Sequence, residues 1–317
     1  MKKVLVTAKL LKFNEDRISK LWDAQLNLNN ETYTANKLIE LSKDCDGILS
    51  SILDKIDEQT INKLSDRVKI ISNFAVGFGN IDIDAARKRN IIVTNTPNVL
   101  TDATAEITLL LILGASRRAA EGMQWARNKN WKWSADFLIG KQLSGSKLGI
   151  LGMGRIGRAV AKRAKAFGME IHYHNRSKLN SDLEMGAIYH DNIQSLFSIS
   201  DILSINCPAT EETKKIINAK TLKYFSKEAV ITNSARGDMI DDDAMVEALQ
   251  KKKIFGLGLD VYNGEPDIHP GYLDHPNVFI LPHLGSSTEK TRIGMANLAI
   301  DNIEEFFKTG QCVNKVN

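Results

Sequence analysis

The part of the chain with the least freedom in how it folds is residues 147–177, KLGILGMGRIGRAVAKRAKAFGMEIHYHNRS. The apolar run KLGIL has no polar alternation, which predicts a strand covered on both faces. RIGRAVAKRAKAFG then repeats small and apolar residues at helical spacing, and MEIHYH reads as a second strand. A GxGxxG pattern alone is weak evidence in a chain with 21 glycines. Between a strand and a helix it has a mechanism: Gly152 allows the tight turn, Gly154 lets backbone approach a pyrophosphate, and Gly157 permits close helix-strand packing. Arg155 and Ile156 open the helix, where unpaired N–H groups and the helix dipole favour phosphate. The bland alternative is a tight strand-helix turn with no ligand.

A dinucleotide site usually places an acid about 20 residues on, accepting from the adenosine ribose hydroxyls. Here that strand ends in Asn175, Arg176 and Ser177. A carboxylate would repel a 2′-phosphate, whereas the planar fork of Arg176 can grip one, with Ser177 and Lys178 adding donors. The expected cofactor is therefore NADPH in preference to NADH, with NADH still possible. In the competing reading Arg176 lies on the adenine or points to solvent and discriminates little.

At 317 residues the chain exceeds what one hydrophobic core usually serves, about 250 to 300 residues, so two domains are expected. Before Pro97, KVLVTA, GILSS, VKIISNFAVG and IIVTNTP alternate with helical patterns such as EQTINKLSD and DIDAARKRN. The segment TDATAEITLLLILGASRRAAEGMQWARNK follows as one long apolar helix, capped by Thr101 or Asp102. A second series then runs through KLGILG, MEIHYH, DILSIN, AVITNSA, GLGLDVY and VFILPH. The last helical segment, SSTEKTRIGMANLAIDNIEEFFKTG, should return to the first unit. The predicted architecture is α/β with two doubly wound parallel sheets. A flavodoxin-like substrate domain takes residues 1–99 plus 286–317, a Rossmann dinucleotide-binding domain takes 100–285, and a cleft lies between them.

Composition excludes several classes. With 43% hydrophobic and 25% charged residues and no apolar run near a membrane-spanning length, a soluble protein is expected, and it should stay in the cytoplasm. A net charge of +4 spread through the chain gives no argument for nucleic acid. Cys45, Cys207 and Cys312 are odd in number and far apart, which suits reduced thiols rather than disulfides or zinc.

Three later segments carry chemistry: NSARGDMIDDDA (233–244), GLDVYNGEP (258–266) and NVFILPHLGSST (277–288). Arg236 follows a strand, where ligand crevices open in such sheets. Its alternative is an ion pair with Asp238 or Asp241. His283 also ends a strand, behind Pro282 and before Gly285, Ser286 and Ser287. His172 and His174 share one strand face, but a packed face suits them better than a metal without a third ligand. No metal is expected.

The four ordered stretches LGMGRIGRAVAKRAKAFGM, NSARGDMIDDDAMVEAL, GLDVYNGEP and LPHLGSST resemble the D-isomer-specific 2-hydroxyacid dehydrogenase family, over essentially the whole chain. The resemblance implies catalytic roles. Arg236 would bind the substrate carboxylate and polarise the keto oxygen, His283 would donate the proton, and Glu265 would support that histidine. It implies backbone donors at Val76 and Gly77 in NFAVGFGNID, with a plain strand-to-turn transition as the alternative. Leu53 and Phe78 would line the pocket. Thr104, Asp260, Cys207 and Pro208 would join Gly152, Gly154, Arg155, Ile156, Gly157, Asn175, Arg176 and Ser177 at the cofactor.

WKWSADFLIGKQLSGSKLGILG further resembles a loop of the glyoxylate and hydroxypyruvate reductases, which favours a small 2-oxo acid substrate and a homodimer. Phe137 stands where that loop often has tryptophan. Trp125, Trp131 and Trp133 would serve either the dimer surface or the core. A bulkier 2-oxo acid stays open, as does phosphoglycerate, the latter disfavoured because no regulatory domain follows FFKTGQCVNKVN. A dinucleotide-sensing co-repressor is the reading from a different class.

Overall fold

Strands with no polar alternation end up buried at every position, as helices on both faces require. GILS, IISN and VITN all do so. The computed structural model describes residues 1–129 and 131–317, and the chain divides into two units, Met1–Leu100 with Ser287–Asn317, and Thr101–Ser286.

In the first unit, β1 (Lys3–Val6), β2 (Asp23–Gln25), β3 (Gly47–Ser50), β4 (Ile70–Asn73) and β5 (Ile92–Thr94) pair in parallel in the order β2-β1-β3-β4-β5. This is the flavodoxin-like order. The twofold period of the strands sorts their side chains between two cores. Leu5, Ile48, Ile71 and Val93 pack on one face. Val4, Val6, Leu49 and Ile70 pack on the other, against Ala299, Ile300 and Ile303 of the helix Glu289–Thr309. Thr288 caps that helix by accepting from the Thr291 N–H at 3.2 Å. The terminal helix thus returns to the first sheet.

In the second unit, β6 (Lys147–Leu151), β7 (Glu170–His174), β8 (Ile188–Tyr189), β9 (Ile202–Ile205), β10 (Val230–Asn233), β11 (Gly256–Leu259) and β12 (Val278–Ile280) form an all-parallel sheet in the order β12-β11-β10-β9-β6-β7-β8. The chain runs outward from β6 to β7 and β8, then crosses back to β9. The glycine turn after β6 therefore sits at the topological switch point, where open α/β sheets take ligands.

Two short edge strands, β2 and β8, fall in segments whose pattern does not signal them. The long helix expected after Pro97 is two helices, Thr101–Ser116 and Ala119–Asn128. Ser116 O accepts from the Lys141 N–H at 2.7 Å instead of continuing the helical ladder, and Arg118 turns left-handed with φ of 53°. The first helix is buried along most of its length, whereas the second buries none of its residues. Among the described residues no helix is long and apolar enough to cross a membrane.

Ile300, fully buried between the terminal helix and the first sheet, gives a direct check of that packing. Ile300→Ala should cost about 2 to 5 kcal/mol through the cavity it leaves. This would lower the urea midpoint of the first unit, and an unchanged midpoint would mean that the helix is not part of that core.

Candidate active site

Parallel pairing aligns β10, β11 and β12 so that their following loops leave the same edge of the sheet. After β10, Asn233 folds its amide over the chain: Nδ2 donates to Arg236 O at 2.7 Å and Oδ1 accepts from the Ala235 N–H at 2.9 Å. The next residue must be glycine, because a Cβ at Gly237 would overlap the backbone of Tyr262 and Asn263. That close approach brings the Arg236 loop against the turn after β11. In that turn Glu265 Oε1 accepts from the Tyr262 N–H at 2.9 Å. The Tyr262 hydroxyl reaches on to Leu281 O at 2.6 Å, tying the loop after β12 to the other two.

His283 sits on this third loop with φ of 55°, a left-handed conformation that costs a non-glycine residue energy. The surroundings hold it there. Asp260 accepts from the Leu284 N–H at 2.6 Å and the Gly285 N–H at 2.8 Å, and the Thr104 hydroxyl donates to Gly285 O at 3.0 Å. Burial pushes the Asp260 carboxyl up to about 6, against the pull of Leu284, His283 and Gly285, so at neutral pH it is an ionised double acceptor. Thr104 and Asp260, expected at the cofactor, thus have their polar atoms on the histidine loop.

His283 Nδ1 lies 2.6 Å from Glu265 Oε2. Burial alone would raise the Glu265 carboxyl. The hydrogen bond and charge of His283, the Tyr262 N–H and Arg236 outweigh it and hold that carboxyl below its ordinary value. An ionised carboxylate only accepts, so Nδ1–H is the donor, and Nε2 has no partner among the described residues.

Arg236 is partly buried, and burial lowers its pKa while Glu265 and Asp238 oppose that shift. The one hydrogen bond of its guanidinium within the described residues goes to Ala235 O at 2.6 Å. The ion pairs considered from sequence are not formed there. Asp241 instead binds Lys215 at 3.0 Å and caps the next helix, and the buried Asp238 Oδ1 has no partner among the described residues. A desolvated guanidinium with most donors unfilled is suited to an anion.

The glycine turn fits a dinucleotide. Gly152 has φ of 95°, and a Cβ there would run into the backbone of Cys207. A Cβ on Gly154 would meet nothing within 4 Å, so the approach to the turn is open. Helix Arg155–Ala166 begins without a side-chain cap, which leaves the N–H groups of Arg155, Ile156 and Gly157 unpaired. Asn175 Oδ1 accepts from the Met153 N–H at 2.7 Å, so the residue standing where an acid is usual fastens the turn to the end of β7. Arg176 and Ser177 are exposed, and Arg176 makes no ion pair among the described residues. Burial raises the Cys207 thiol to about 12, which makes it a packing group rather than a reactive one, while Pro208 beside it is exposed.

In the first unit, the loop after β4 carries Val76, Gly77 and Phe78. Among the described residues the N–H groups of residues 76–80 donate to no protein acceptor. Five successive N–H groups without a protein acceptor are open to an anion or to solvent. Leu53 and Phe78 are exposed apolar side chains on the same unit.

Other candidates resolve plainly. His172 is buried, with His190 at 2.9 Å and Glu170 at 2.7 Å, and His174 stacks on Tyr189. Among the described residues no group of three or more His, Cys, Asp or Glu side chains is arranged to hold a metal. Phe137 meets Trp125 edge-on and stacks with Trp131, and all three tryptophans of this region are exposed. Asn233, Gly237 and Tyr262 had no role assigned from sequence, although the motifs contain them, because their work is done through backbone contacts between segments far apart in the chain.

Residues 109–285 match the model of the D-isomer specific 2-hydroxyacid dehydrogenase NAD-binding domain. A glycerate dehydrogenase from Hyphomicrobium methylovorum is 38% identical over 309 residues, covering 96% of each chain. A glyoxylate reductase from Thermococcus litoralis is 38% identical over 321 residues, covering 99% of this chain and 96% of its own. The crystal structure of an NADPH-dependent glyoxylate/hydroxypyruvate reductase from Sinorhizobium meliloti, in complex with NADP and malonate, superposes with a TM-score of 0.89 at 32% identity, over 99% of this chain and 96% of that one. Sequence, fold and the grouping of arginine, glutamate and histidine agree: this chain is a member of the D-isomer-specific 2-hydroxyacid dehydrogenase family and carries its nicotinamide-dinucleotide-binding domain.

Proposed function

We propose that this protein reduces a small 2-oxo acid, glyoxylate or hydroxypyruvate first, to the D-2-hydroxy acid, with NADPH preferred over NADH. The observation that carries this reading is the His283–Glu265 hydrogen bond beside an Arg236 most of whose donors are unfilled among the described residues. Arg236 binds the substrate carboxylate and draws electron density toward the keto oxygen; in the first unit, taken by itself, the N–H groups of Val76 and Gly77, free among the described residues, are suited to a carboxylate. Gly152, Gly154 and Gly157, with the N–H groups of Arg155 and Ile156, would hold the dinucleotide, which when bound would provide the hydride. As negative charge grows on the former carbonyl oxygen, His283 gives it the proton from Nε2, while Glu265 keeps Nδ1–H engaged and stabilises positive charge on the ring. Asp260 and Thr104 keep the histidine loop in its left-handed turn, which limits reorganisation during the step.

The NADPH preference is supported by the Asn175, Arg176, Ser177 sequence, by the free guanidinium of Arg176, and by the NADP-bound relative. The small substrate is supported by the names of the relatives. Homodimer formation is supported by Met123, Trp125, Trp131, Trp133 and Ile139, apolar side chains that stand exposed on helix Ala119–Asn128 and the segment after it. Cytoplasmic residence remains the expectation from sequence.

A steady-state screen of glyoxylate, hydroxypyruvate, pyruvate and a bulky branched 2-oxo acid with each coenzyme tests the reading. Turnover should be best with one of the first two and NADPH. Coenzyme binding without turnover of any acid would instead identify a sensor. His283→Ala should lower kcat by about 100- to 10,000-fold with NADPH affinity unchanged. Near-normal turnover would remove His283 from the chemistry. Arg176→Ala should raise the KM for NADPH by about 10- to 100-fold, the scale of hydrogen bonds to a charged group, and leave the KM for NADH alone. Equal effects on both coenzymes would place Arg176 away from the 2′-phosphate.

A further inference from the structure

In the loop after β4, the direction of each N–H is set by whatever holds the carbonyl of the same peptide. A trans peptide points its C=O and N–H to opposite sides, so gripping the oxygen aims the hydrogen. Ala75 O accepts from the Thr96 N–H at 2.9 Å, and Phe78 O accepts from the Ile81 N–H at 3.0 Å. Between them, Val76 O accepts from Asn95 Nδ2 at 2.8 Å and Gly77 O accepts from Asn73 Nδ2 at 2.9 Å. The hydrogens of these four peptides belong to Val76, Gly77, Phe78 and Gly79, and all four are free among the described residues.

The two side-chain grips are themselves held. Asn73 Oδ1 accepts from the Ser50 hydroxyl at 3.1 Å, and its amide nitrogen also donates to Asn80 Oδ1 at 3.2 Å. Asn80 Nδ2 donates to Ser51 O at 2.9 Å and Asp54 O at 3.1 Å. On the other side, the Asn95 N–H donates to Asn314 O at 3.2 Å, and Asn95 O accepts from Asn302 Nδ2 at 3.1 Å. Asn314 Nδ2 closes this chain of amides on Asn302 Oδ1 at 2.9 Å. Carbonyl oxygens only accept, so the amide nitrogens must face them and the orientation of each side chain is forced.

We propose that Asn73 and Asn95 are positioning residues that aim the N–H groups of Phe78 and Gly77, respectively, at the substrate carboxylate. This rests on the reading of the loop as the carboxylate site and adds Phe78 as a third backbone donor. Two glycines in the segment leave it free to relax. Donors help an anion only if they converge before it arrives, and the asparagine grips supply that preorganisation. Asn302 and Asn314 extend the device to the terminal helix and the segment behind it.

The test uses the full-length protein with glyoxylate and NADPH, oxamate as a carboxylate inhibitor, and fluorescence titration of NADPH. Asn95→Asp keeps the side-chain shape but sets a charged acceptor against Val76 O, turning that peptide. It should raise the KM for glyoxylate and the Ki for oxamate together by about tenfold, the scale of one hydrogen bond to a charged group, with NADPH affinity unchanged. Asn95→Ala removes the grip without repulsion and should give a smaller rise in both. A role confined to stiffening the fold would lower the melting temperature and leave KM and Ki where they were. That result, with an active wild type, overturns the positioning role and leaves the proposed function standing. A wild type that turns over no 2-oxo acid overturns the function itself. If neither variant folds, oxamate titrated into the 15N-labelled wild type decides: shifts at the Gly77 and Phe78 amides support the proposal, and silent amides overturn it.

Discussion

A parallel sheet delivers all its strand ends to one edge, and the chemistry of the second unit depends on that constraint. β10, β11 and β12 are neighbours in the sheet, so the loops carrying Arg236, Glu265 and His283 lie side by side although the residues are spread over 48 positions. Sheet order does the coarse placement. Backbone contacts then do the fine placement: the missing side chain at Gly237 lets two loops touch, and the Tyr262 hydroxyl ties the second to the third. The same edge carries the glycine turn after β6, so one element of topology places that turn and the His283 loop alike.

Charge in this region is arranged rather than simply paired. Glu265 stays ionised although burial opposes it, because His283, Tyr262 and Arg236 all favour the anion. Asp260 is more deeply buried and spends its charge on two backbone N–H groups, fixing a strained histidine loop instead of reaching a cation. Arg236 is the complement: a cation taken partly out of water and left without a carboxylate to bind among the described residues. Holding such a group partly out of water costs stability, and an anion bound there would offset that cost.

Much of this was legible in the sequence where local pattern and chemistry coincide. Apolar runs bounded by turns mark the central strands, and the glycine spacing marks the tight turn between β6 and the helix after it, because both signals are contained in a few consecutive residues. The edge strands β2 and β8 were not legible, since two or three half-exposed residues carry no periodicity. The break at Arg117 and Arg118 was missed because it depends on Lys141, distant in the chain, taking the Ser116 carbonyl. Asn175 stands by sequence at the expected cofactor position, and the structure adds that its oxygen holds Met153. Thr104 and Asp260 were placed at the cofactor by resemblance, and the structure shows what their polar atoms grip. Such second roles need coordinates, because sequence records residue types but not which backbone groups they meet.

The central proposal is that His283 Nε2 and the Arg236 guanidinium, both in the second unit, converge on one substrate oxygen. A crystal structure with NADP and oxamate bound tests it most directly. The expected result is the oxamate amide-side carbonyl oxygen within hydrogen-bond distance of both His283 Nε2 and Arg236. Oxamate held by other groups, with His283 and Arg236 facing away from it, would contradict the account.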